Sequence, residues 1–94
     1  MSAKFFCLVY YFIAEDKDSF DTPNAYILDK DQDFVTLRDI RESFPLQGRF
    51  MFKFQYEVNK QRFWLDVNKD TVAVPKYQNK IIMKAQRVDS KDVL

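Results

Sequence analysis

The chain has no histidine, one glycine, one cysteine and three prolines in 94 residues. Without histidine, neither a Ser-His nor a Cys-His nucleophile can be assembled. One cysteine and no histidine make no zinc ligand set. The only glycine, Gly48, excludes the glycine-rich loops that wrap phosphates. Asp29, Asp31 and Asp33 have the spacing of the first EF-hand ligands, but Phe34 stands where that loop needs glycine and Ile40 where it needs glutamate. These absences predict a protein that is not an enzyme and that takes no cofactor or metal. A lone cysteine also forbids a disulfide framework, which fits a reducing, cytoplasmic setting, with Cys7 an inert core residue.

A strong excess of one charge is also missing. The net charge of +1 offers no general affinity for nucleic acid or for an acidic membrane. The longest apolar run, Phe5 to Ala14 behind Lys4, has the outline of a signal peptide but is too short to cross a bilayer. Tyr10 and Tyr11 suit it poorly and no small-x-small cleavage site follows, so a strand covered on both faces explains it better. What is present is ample for a core: the chain is 47% hydrophobic, with ten Phe and five Tyr. Its length predicts one domain over 1–94, with a core at about 4–89 and a tail at 90–94.

Hydrophobic periodicity orders the elements. A first strand is expected from Phe5 to Ile13 and a second, after Pro23, from Ala25 to Leu28. Thr36 and Asp39 have capping-box spacing, with Val35 and Ile40 at the positions of a hydrophobic staple. The helix they start carries an apolar stripe of Leu37, Ile40 and Phe44 and stops at Pro45. Phe50, Phe52, Phe54, Tyr56 and Val58 then alternate with polar residues, a turn falls at Asn59 to Gln61, and Phe63, Leu65 and Val67 continue the inward face. Arg62, Trp64 and Asp66 point the other way, which puts the only Trp either before a partner or under a loop or the C-terminal tail. A last strand is expected from Lys80 to Val88.

The order β-β-α-β-β-β predicts an α+β, ubiquitin-like β-grasp: a mixed five-stranded sheet with one short helix, and the first and last strands adjacent in its middle. The second and fourth strands are then free edges, whose unpaired backbone groups invite further strands. Charge is split between them. Residues 15–33 hold seven acids and two lysines, while residues from 34 onward hold seven acids and twelve bases. Ends of opposite sign favour head-to-tail contact, and a contact between two different patches propagates.

Leu8-Val9-Tyr10-Tyr11-Phe12, Val35-Thr36-Leu37, Arg49-Phe50-Met51-Phe52-Lys53, Val74-Pro75, Lys80-Ile81-Ile82-Met83-Lys84 and Arg87-Val88-Asp89 together resemble the DIX domain, the polymerising domain of Dishevelled, Axin and the coiled-coil DIX proteins. The resemblance runs from about Phe5 to Asp89, and the ending from Lys80 is nearest the Axin type. It implies head-to-tail self-assembly in Wnt/β-catenin-type signalling, with the second strand of one copy meeting the fourth strand of the next, and possible pairing with other DIX domains. The implied head residues are Tyr26, Ile27 and Asp29, and the implied tail residues are Phe63 and Trp64, supported by Arg62 and Lys60. The head strand of Axin is basic near the positions of Ile27, Asp31 and Asp33, whereas this one is acidic, which implies a reversed polarity. Two other arrangements stay open: an adaptor that pairs with one different DIX or PB1-like domain, and a domain-swapped dimer. Arg49-Phe50-Met51-Phe52-Lys53-Phe54 superficially resembles an RNA-stacking motif, but its glycine is missing and alternation turns the Phe side chains inward.

Overall fold

The computed structural model describes residues 6–16 and 22–88. It contains β1 (Cys7–Ile13), β2 (Asn24–Leu28), a seven-residue helix α1 (Leu37–Ser43), β3 (Phe50–Val58), β4 (Gln61–Asp66) and β5 (Ile81–Arg87). The five strands form one sheet in the order β2-β1-β5-β3-β4. β1 runs parallel to β5, with Val9 opposite Ile81, and antiparallel to β2. β3 is antiparallel to both β5 and β4. The expected β-grasp is therefore the observed fold, and β2 and β4 are its edges.

The helix starts as its sequence demands. The Asp39 N–H donates to Thr36 Oγ1 at 3.3 Å, and the Thr36 N–H donates back to Asp39 Oδ2 at 2.9 Å. Val35 and Ile40 are both fully buried beside this box. Lys30 donates to the same carboxylate at 2.6 Å. The helix packs on one sheet face, where Val9, Leu37, Ile40, Phe54, Ile81 and Met83 form the sealed centre of the core. Phe44, the C-cap residue, sits edge-on to Tyr11 at 5.1 Å, Phe50 at 4.9 Å and Phe52 at 5.1 Å, so the helix end is fixed by rings.

Two expectations change. β1 is not covered on both faces: Leu8 is 43% exposed and Tyr10 half-buried, because the helix covers one face only. Phe63 lies on the helix side of β4, yet stays 37% exposed beyond the reach of the short helix, edge-on to Tyr56. The β3–β4 turn is also tighter than expected. Val58 pairs with Gln61, leaving Asn59 and Lys60 as central residues with φ of 53° and 67°, the left-handed pair of a type I′ hairpin. A second turn of this kind, Tyr77 to Lys80, carries Gln78 and Asn79 at φ of 50° and 63°. Pro75 marked the region as a loop, but nothing in its sequence announced that turn.

Two outcomes follow. A lysine side chain is strained in the left-handed region, so Lys60→Gly should raise unfolding stability by about 0.5–1 kcal/mol in urea titration. The Lys30 ammonium first, and then the Thr36 N–H, hold the Asp39 carboxyl below its ordinary value. A depressed folded-state pKa gives stability that is present above the unfolded pKa, near 3.8, and is lost as pH falls through the folded value. Acid titration of Asp39→Asn should therefore lack part of the stability loss that the wild type shows below about pH 4.

Candidate protein-interaction edges

Among the described residues each edge strand has one neighbouring strand, β1 for β2 and β3 for β4, so its outer side is not paired with a further strand. On β2, alternation turns Tyr26 and Leu28 towards the helix and Ile27 towards the open face. The Tyr26 hydroxyl lies 2.9 Å from Ser43 Oγ, and its ring packs edge-on against Tyr11 and Phe44. Burial pushes its pKa up. Tyr26 thus ties the edge strand to the helix end, while Ile27, 63% exposed, is the apolar side chain this edge offers. Asp29 follows at the strand end and is exposed.

The other head acids are largely engaged within the fold. Asp33 pairs with Lys76 at 2.7 Å, Asp31 accepts the Asp33 N–H at 2.9 Å, and Glu15 lies 3.8 Å from Arg87. Asp18, Asp21 and the Asp16 side chain lie outside the described residues. Among the described acids of this stretch, Asp29 and Asp31 form no ion pair, and Asp29 is the more exposed of the two. Of the aspartates with EF-hand spacing, Asp31 caps a turn, Asp33 belongs to an ion pair and Asp29 is exposed at the end of β2.

Lys60 sits in the β3–β4 turn and Arg62, Phe63 and Trp64 on β4; with Gln55 and Gln61 they border one shallow hollow at the sheet edge, Phe63 from the helix side and Trp64 from the open face. Arg62 stacks over the Tyr77 ring at 5.9 Å. Trp64 is half-buried on the open face, where its ring meets Phe12 edge-on at 6.5 Å and the Lys84 ammonium stands 4.8 Å above it. Phe12 is only 6% exposed, although it points away from the helix. The sequence showed that Trp64 points outward. It could not show Phe12 and Lys84 as its neighbours, because that needs the parallel register of β1 with β5, in which Phe12 faces Lys84. Burial pushes the Cys7 thiol up, in keeping with an inert core cysteine.

Among curated proteins none matches the chain. A family model, that of the DIX domain, matches residues 6–85, which takes in both edge strands, the helix and all but the last two residues of β5. With the matched span covering most of the sequence and the sheet order placing β2 and β4 at the edges, the chain belongs to the DIX domain family, a family of protein-interaction domains.

Proposed function

We propose that this domain self-associates head to tail, β2 of one copy adding to β4 of the next, to build reversible filaments. The observation that supports this most is the pair of unpaired edges at opposite ends of one sheet, with Asp29 beside one and Lys60 and Arg62 beside the other. Backbone pairing supplies the continuity, as in other strand-addition contacts. Ile27 supplies an apolar anchor at the head, and Phe63 and Trp64 supply anchors at the tail. Asp29 facing Lys60 and Arg62 sets the direction and disfavours head-to-head contact. Tyr26 serves the head from beneath by fixing β2 through Ser43, Tyr11 and Phe44. The cellular role is scaffolding in the cytoplasm, in Wnt-type signalling, where a filament raises local concentration so that weak ligands bind together; other DIX domains are further candidate partners. No helix among the described residues is long and apolar enough to cross a membrane.

Light scattering coupled to size exclusion tests this with Ile27→Asp at the head and Arg62→Glu at the tail, both exposed positions that leave the Tyr26 and Trp64 packing in place. Wild-type mass should rise continuously with concentration, each variant should stay monomeric, and an equimolar mixture should stop at a capped dimer. A wild type fixed as a monomer would mean a single-partner adaptor. A fixed dimer indifferent to both changes would mean domain swapping. Salt gives a second check. The screening length shrinks from about 10 Å at 0.1 M to about 3 Å at 1 M, so wild-type mass at fixed concentration should fall over that range. Salt-insensitive assembly would remove the attraction between Asp29 and the basic tail.

A further inference from the structure

The sheet face opposite the helix carries a second pattern, separate from the backbone edges. Lys80, Ile82 and Lys84 point to this face from the central strand β5, or from the residue just before it. Lys84 stands over Trp64 at 4.8 Å and Lys80 over Tyr10 at 5.7 Å. Among the described residues neither lysine forms an ion pair with a carboxylate, and the nearby Asp66 is engaged by Lys53 at 3.3 Å. Ring contacts hold both ammonium groups in place without neutralising them. Beside them Tyr10 lies opposite Ile82, and Leu8, 43% exposed, lies opposite the more exposed Ile27. The result is an apolar strip bracketed by two positive charges, over a floor made rigid by the contact of Phe12 with Trp64.

We propose that this open face docks an acidic, amphipathic helical segment of a partner protein. Four residues of strand separate Lys80 from Lys84, about 13 Å. Carboxylates at positions i and i+8 of a helix lie about 12 Å apart, with apolar residues at i+4 and neighbouring positions between them. Such a helix lays its apolar side chains on Leu8, Tyr10 and Ile82 and sets one carboxylate at each lysine. The charge on this face favours an acidic ligand, and the pinned lysines lose little freedom on binding. The strip lies on β1 and β5 and does not use the β2 and β4 backbones, though Leu8 borders Ile27 and Lys84 borders Trp64.

The test is fluorescence anisotropy with a labelled synthetic helical peptide carrying Leu on one face, bracketed by Glu at i and i+8. The control peptide has Lys in place of each Glu. Saturable binding of the Glu peptide is expected, weakened at least tenfold in Lys80→Glu/Lys84→Glu and, independently, in Leu8→Asp. Circular dichroism should show both variants folded. Absence of binding up to about 1 mM, a total energy of only about 4 kcal/mol, would overturn the proposal. So would equal binding of the Lys peptide, or affinity indifferent to the lysine changes. Lysine-dependent binding of phosphatidylserine vesicles without binding of the peptide would overturn it in favour of a lipid surface. Peptide binding by a wild type that never assembles would sustain this site and count against the filament alone.

Discussion

A short helix on a wide sheet is the constraint from which the rest follows. Seven helical residues span only about 10 Å, whereas five strands side by side span about 19 Å between their outer axes. One helix can seal the middle of one face and no more. Val9, Phe54, Ile81 and Met83 lie beneath it and are fully buried, while Tyr56, Val58 and Phe63, farther along the β3–β4 hairpin, are at least a third exposed. Among the described residues the opposite face has no helix, and its one well-buried large side chain, Phe12, is closed off with the help of Trp64. Exposed apolar surface in this domain is therefore a product of its architecture and is concentrated where partners can reach it.

Because the core is narrow, its attachments must be exact. The Thr36–Asp39 box fixes the helix start, and Phe44 fixes its end among Tyr11, Phe50 and Phe52. Lys30, just beyond β2, reaches the same Asp39 carboxylate, and Tyr26 reaches Ser43 in the last turn. The head edge is thus tied to both ends of the helix. An edge strand held in this way keeps a fixed orientation, which in the proposed head-to-tail contact would lower the ordering cost of association.

Much of this was legible in the sequence because the signals were local. The capping box is a four-residue pattern, the two-residue alternation of β3 and β4 gave the faces of Phe54 and Trp64, and the β-grasp order alone made β2 and β4 the edges. What could not be read depended on register or reach. Tyr26 and Ile27 are adjacent on a strand, and only the position of the helix decides which of them turns inward. Phe63 has the parity of a core residue, but helix length decides whether that position is covered. Lys84 and Trp64 are twenty residues apart on strands separated by β3, so their contact has no local signature. The charge reading was coarse for the same reason: Asp33 and Glu15 belong to the acidic stretch by position, yet their charges are met by Lys76 and Arg87 from the other end of the chain.

The parallel pairing of β1 with β5 joins the two ends of the sequence, with Val9 opposite Ile81. During synthesis no earlier strand can substitute for this one, because β5 alone connects the β1–β2 hairpin to the β3–β4 hairpin. Without β5 the two hairpins have no strand to join them, and each is left with an extra open edge and an uncovered share of the core. In that absence the facing edges of β1 and β3 are as open to a neighbouring chain as β2 and β4 are in the finished sheet. The central strand of the sheet is the one that ends that exposure.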